Sequence, residues 1–197
     1  GKGKDDMFYT EPVYELSTLK AIQHWCEESG RGFWEYTDEC EDPEIWDYLH
    51  EVWLMMCNAV EHGLENDGVL PGPLKLSRKA SNYYIKALSY RSSLQSRGLV
   101  YAYALAVSEE NASGGTIVTA PTCGSCGVMP GVLYHLAKAH QFSERKILRA
   151  LATAGLFGNV VKANASISGA EVGCQGEVGV ACAMASAAAC QLFGGTP

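Results

Sequence analysis

A chain of 197 residues with 47% hydrophobic content is long enough to bury one domain core with a small appendage. Its net charge of −7 is unevenly spread: residues 1–70 carry 17 acidic and 4 basic side chains, whereas residues 71–197 carry 5 acidic and 11 basic. The mildly cationic second part suits an anionic ligand such as a carboxylate or a thiolate-held cluster, and the lack of a dense Lys/Arg stripe argues against nucleic acid as a partner.

Gly1 to Asp6 lacks the basic start, apolar run and small-residue cleavage site of a signal peptide, so residues 1–12 read as a linker or cloning remnant and the expected location is cytoplasmic. Tyr14, Leu16, Leu19, Ile22 and Trp25 then recur at helical spacing up to Gly30. Asp42-Pro43, a cap followed by a first-turn proline, predicts a second, long helix whose stripe of Ile45, Leu49, Val52, Trp53, Met56 and Val60 ends at Gly63. Asp47, Glu51 and Glu61 fall on its other faces, so the acidic excess is mostly solvated surface. The turn formers of Asp67 to Pro73 make a rigid elbow that closes an acidic helical part, 13–66.

Beyond the elbow, helices are predicted over roughly 77–90 and 98–110, the second stopped by Asn111-Ala112-Ser113-Gly114-Gly115. Thr116 to Ala120 has the β-branched look of an extended piece. A small-residue loop, Pro121 to Gly127, leads through Met129-Pro130 into a helix containing Leu133, Tyr134, Leu136 and Ala137. Ser143 is expected to cap another helix, with Ile147, Leu148, Leu151, Ala154 and Phe157 inward, running to about Lys162. Val178 to Phe193 is shorter than the ~18–20 residues of a membrane span and is built of alanine, so it reads as a buried helix and no membrane partner is expected. The fold class is mostly α: a helical domain with glycine-rich loops.

The stretch Asn164 to Glu177 concentrates one thiol, two carboxylates, two hydroxyls and three glycines in fourteen residues. Such residues forgo core area and the glycines cost backbone entropy, which points to close approach by a bound group, and an inorganic one suits the thiol. Both glycine-rich loops precede helices, whose unpaired first-turn amides can hold carboxylates or cluster sulfides. Cys174 lies between Gly173 and Gly176, so backbone amides can reach its sulfur. Glu171 and Glu177 flank it and suit anchoring, proton transfer or a favourable charge at a helix start, with anchoring favoured.

The eight cysteines read as thiols rather than disulfides, and Cys182 and Cys190 as buried, inert ones. Cys123 and Cys126 form a Cys-x-x-Cys, half of a zinc site or a redox pair, but no second pair stands at ligand spacing and small packing residues are the better reading. The glycines at 173, 176 and 179 follow no strand and have the wrong spacing for a dinucleotide fingerprint. Lys162 admits another reading, a Schiff-base lysine for pyridoxal phosphate, although the usual α/β pattern is missing and a cation is expected at a helix C-terminus anyway.

Glu109 to Gly115, Ala120-Pro121-Thr122, and above all Lys162 to Cys182 closely resemble the α (catalytic) domain or chain of the iron–sulfur L-serine dehydratases. Gly68 to Leu74 resembles that family's elbow, so the likeness runs from about Leu16 to Pro197. The resemblance implies conversion of L-serine to pyruvate and ammonia at the open iron of a [4Fe–4S] cluster held by three cysteines. Cys174 matches one of those ligands; the other two, and a β chain or domain, are expected outside this chain, so the domain over 13–197 is expected to be incomplete at its C-terminus and inactive alone. Thr122, Asn164, Ser166, Ser168 and Gly169 would bind substrate, Gly173 and Gly176 would face the cofactor, and Glu171 is the candidate base. A homo- or hetero-oligomer is expected. A non-catalytic assembly module remains an alternative from another class.

Overall fold

The structure, a computed structural model, describes residues 12–197 and is mostly α. The expected linker lies, apart from Pro12, outside the described residues. In chain order the helices are α1 (Leu19–Ser29), α2 (Phe33–Cys40), α3 (Ile45–Glu65), α4 (Ala80–Leu88), α5 (Ser92–Ala112), α6 (Val128–His140), α7 (Glu144–Asn164) and α8 (Gly169–Leu192), with a short 3-10 turn at Cys123–Ser125. Among the described residues there is no strand, only an isolated bridge between Val69 and Ser77. Thr116 to Ala120 finds no neighbouring strand, and its Ile117, Val118 and Ala120 lie half-buried against the core.

Helix α1 starts where the Thr18 hydroxyl accepts the Ala21 N–H at 3.3 Å and stops at Gly30, whose φ of 68° is left-handed. Tyr14 and Leu16 precede it instead of extending its stripe: the Tyr14 hydroxyl donates to Glu41 Oε1 at 2.7 Å, and the Leu16 N–H donates to the Tyr36 hydroxyl at 3.1 Å. Helix α2, absent from the sequence-based expectations, is held at its start by the Glu35 carboxylate, which accepts the Gly32 N–H at 2.7 Å.

Helix α3 buries Leu49, Trp53, Met56 and Val60, four members of the expected stripe. It continues through Gly63, where a Cβ would collide with the Ala106 carbonyl of α5. The absent side chain lets the two backbones cross closely. The elbow is a small closed loop in which the Leu70 N–H donates to Leu76 O at 2.7 Å and the Arg78 N–H to Gly68 O at 2.9 Å. Ser143 stands at the cap position of α7 as expected, but its side chain makes no cap bond; its backbone oxygen accepts the Lys146 and Ile147 N–H groups instead.

The main core lies between α3, α5, α6, α7 and α8, centred on Met56, Val60, Val107, Met129, Leu133, Ile147 and Ala150. A smaller cluster of Ile22, Cys26, Tyr36 and Leu156 seats α1 and α2 on the other side of α7. Helix α8 buries Val180, Ala181, Met184, Ala185, Ala188 and Leu192 along one face only. This corrects the expectation for Cys182 and Cys190, which are exposed on the opposite face. An alanine-rich helix has little difference in hydrophobicity between its faces, so its sequence does not mark which one is buried. No helix of the described residues is long and apolar enough to cross a membrane.

Candidate functional site

The two glycine-rich loops meet. Thr122, at the start of the Cys123–Ser125 turn, donates from Oγ1 to Glu177 Oε1 of α8 at 2.8 Å, and its oxygen lies 3.3 Å from the Ser125 hydroxyl. A Cβ at Gly124 would fall 2.6 Å from Glu177 Oε2, and one at Gly169 would fall 2.7 Å from Glu177 Cδ. The carboxylate therefore fills space that a side chain on either loop would occupy. The turn is fixed from behind, because Asn111 Nδ2 of α5 donates to the Cys123 carbonyl at 3.1 Å and Ser125 and Cys126 are buried.

Helix α8 is broken within its first two turns. Gly173 has φ 73° and ψ 173°, a region essentially closed to other residues, so the segments on either side of it differ in direction. Cys174 follows this kink and is exposed. Ser168 caps the first segment, its hydroxyl accepting the Ala170 N–H at 3.3 Å, and Ser166 Oγ accepts the Ser168 N–H at 3.1 Å.

Of the residues the sequence singled out, the structure brings Thr122 and Gly169 together at Glu177. Ser168 acts locally as a cap, and Ser166 bonds to the Ser168 backbone. Asn164 is turned elsewhere, its Nδ2 donating to Ser17 O at 2.6 Å and Val160 O at 2.8 Å. Glu171 is exposed on the first turn of α8, whereas Glu177 is half-buried between the loops. Gly176 lies against Val172. Lys162 is exposed on the last turn of α7, the place expected for a helix-end cation.

The Glu109 to Gly115 segment is structural. Glu109 reaches from α5 to accept the Lys79 N–H at 2.7 Å and the Ala80 N–H at 3.4 Å, capping α4. Glu110 accepts from Arg78 Nη1 at 3.1 Å and from Asn66 Nδ2 at 3.2 Å, and Arg78 Nη2 donates to the Ser113 hydroxyl at 2.6 Å. Buried charges persist when paired and hydrogen-bonded in this way. In the Cys-x-x-Cys, burial and then the neighbouring Cys123 push the Cys126 thiol up to about 11, so it stays protonated, while Cys123 is exposed.

Cys174 fits a single ligand position of an iron–sulfur cluster, with its exposed sulfur next to a glycine-flanked kink. Among the described residues no group of three His, Cys, Asp or Glu side chains converges as a metal site, so they do not furnish a complete ligand set.

The helical domain gathered around these loops has a known counterpart: residues 11–197 match the family described as serine dehydratase alpha chain, and the chain belongs to that family. It is similar to the L-serine dehydratase of Haemophilus influenzae, 47% identical over 156 residues that cover 76% of this chain and 34% of the relative. The L-serine dehydratase TdcG of Escherichia coli is 47% identical over 151 residues, covering 74% of this chain and 33% of that one. L-serine dehydratase 1 of Escherichia coli is 39% identical across 99% of this chain and 45% of its own length. The chain thus spans less than half the length of each of these relatives.

Proposed function

We propose that this chain is the catalytic α part of an L-serine ammonia-lyase, converting L-serine to pyruvate and ammonia, and that Cys174 contributes one ligand to a [4Fe–4S] cluster. The observation that carries the reading is the exposed thiol at the Gly173 kink, beside the joined loops of a chain belonging to this family. When bound, the cluster would supply an open iron, a Lewis acid for the substrate hydroxyl.

This chain's own residues bind and orient. The hydroxyls of Thr122, Ser166 and Ser168 and the backbone at Gly169 lie on the two loops, and would hold the carboxylate and ammonium of serine in a reactive pose. Gly173 and Gly176 would face the cofactor, Gly173 with open space at its Cβ position and Gly176 against Val172. Glu171, exposed on the first turn of α8, is the candidate base. The remaining ligands would come from outside this chain, and a β chain or domain would be its partner, in a homo- or hetero-oligomer located in the cytoplasm.

The test is anaerobic purification, iron and sulfide analysis, and measurement of pyruvate formed from L-serine, for the chain alone and mixed with the complementary part of the enzyme. Iron binding and turnover are expected only in the mixture, and Cys174→Ser should abolish both. A colourless, iron-free mixture that still deaminates serine would overturn the reading.

A further inference from the structure

We infer that Glu177 is a positioning residue: its carboxylate ties the helix that follows the Gly173 kink to the Thr122–Ser125 turn, and so fixes where the Cys174 thiol is presented. The tie itself is geometry; its consequence for iron rests on the proposed function above. Four observations carry it. Glu177 Oε1 accepts the Thr122 hydroxyl at 2.8 Å across 55 residues of sequence. Gly124 on one loop and Gly169 on the other leave the space its carboxylate occupies. Cys174 and Glu177 are three residues apart in one helical stretch, hence neighbours on its surface. Finally, the break at Gly173 means that this stretch does not inherit its direction from the capped segment before it.

The other end of the tie is anchored in the core. The turn carrying Thr122 is held by Asn111 at the Cys123 carbonyl and by the burial of Ser125 and Cys126. A path of fixed groups thus runs from α5 through the turn to Glu177, and one helical turn back to the thiol. Exposed Glu171 lies on the other side of the Gly173 kink from Cys174.

Hydrogen exchange on the intact chain, kept anaerobic and freed of iron by chelation, tests the tie. Glu177→Ala should speed exchange of amides 174–178 and of 123–127 together, by roughly two- to tenfold, the range one net hydrogen bond carries. Thr122→Val should do the same from the other end, and the double variant should add little to Glu177→Ala. Glu177→Gln keeps an oxygen that accepts the Thr122 hydroxyl and should preserve most of the protection. Acceleration confined to 174–178, or full additivity of the two substitutions, would overturn the tie. If Glu177→Ala unfolds the chain by circular dichroism, Thr122→Val carries the test alone, by the same two peptides.

Positioning of the thiol has its own readout. In protein reconstituted with iron and sulfide alongside its complementary part, Glu177→Ala should alter the visible and electron paramagnetic signature of the cluster, and Glu177→Gln should restore it. An unchanged signature with the exchange coupling lost would remove the positioning role. Failure of the function assigned to Cys174 shows separately, as a Cys174→Ser protein that still binds iron normally while the exchange coupling stands.

Discussion

Cys123 and Cys126 share a motif but differ in state. Cys126 is 1% exposed and its thiol is pushed up to about 11, chiefly by burial, whereas Cys123 is exposed. The folded state therefore favours the protonated Cys126 thiol, a contribution fully present below its ordinary value of 9.0 and lost as pH rises toward 11. Iodoacetamide at about pH 8, where ordinary thiols begin to ionise, should label Cys123 and spare Cys126 until denaturant is added; equal labelling of both in the native protein would contradict this. A second residue-scale prediction concerns the Arg78–Glu110 pair, whose side chains are each 9% exposed. Removing one partner of a buried pair leaves an uncompensated charge, so Glu110→Ala should cost about 3–5 kcal/mol in urea unfolding. Glu110→Gln, which keeps an acceptor for Asn66, should cost less. Sequence singled out the Glu109 to Gly115 segment as family-like without giving it a task, because its partners Asn66, Arg78 and Lys79 lie roughly thirty to forty-four residues away. The sequence suggests Glu177 as an anchor but not Thr122 as its partner, for the same reason: a 55-residue pairing leaves no periodic trace.

The elements were legible where a bulky apolar stripe met a clear stop. Helix α3 shows its stripe after Asp42-Pro43, and α7 shows Ile147, Leu151 and Ala154 after Ser143, so both follow directly from the pattern. Helix α2 escapes the pattern because it has only 8 residues and is capped by Gly32, with the reach of Glu35 back to the Gly32 N–H as its one signal. The break in α8 was equally hidden, since glycines at 169, 173, 176 and 179 all look alike in sequence and only Gly173 takes a positive φ within the helix. That position makes an element-scale prediction. Its φ of 73° with ψ of 173° belongs to the nearly glycine-only region, so Gly173→Ala should destabilise by about 1–3 kcal/mol or force the helix to straighten. Gly179→Ala, in the regular part of α8 with open space at its Cβ position, should be neutral or stabilising. Thermal unfolding of both variants checks the contrast, and equal losses would mean that the kink is not what Gly173 supplies.

At the scale of the whole molecule, α7 is shared between two apolar clusters. Ile147, Ala150, Leu151 and Ala154 face the main core, while Leu156 packs with Ile22, Cys26 and Tyr36 of α1 and α2, and Phe157 meets Phe33 edge-on with ring centroids 5.4 Å apart. The sequence offered an acidic part and an elbow, and this division follows charge, whereas the packing follows apolar faces: α3, for all its surface carboxylates, packs on α5, α6 and α7. The smaller cluster has few buried side chains, so α1 and α2 should open before the main core does. Leu156→Ala removes its wall on α7 and should cost about 2–5 kcal/mol in the protection of α1 and α2 amides. Because full unfolding also undoes this cluster, α5 and α6 amides should lose a similar amount, whereas Leu133→Ala, placed in the main core, should lower α5 and α6 and leave the opening of α1 and α2 unchanged. Measured by hydrogen exchange over a urea series, an equal loss across α1, α2, α5 and α6 in Leu133→Ala would mean that the two clusters unfold as one cooperative unit. Opening of α1 and α2 alone would leave the joined loops and the Cys174 thiol intact, because Thr122 and Glu177 are tied through α5 and α8, on the main-core side of α7.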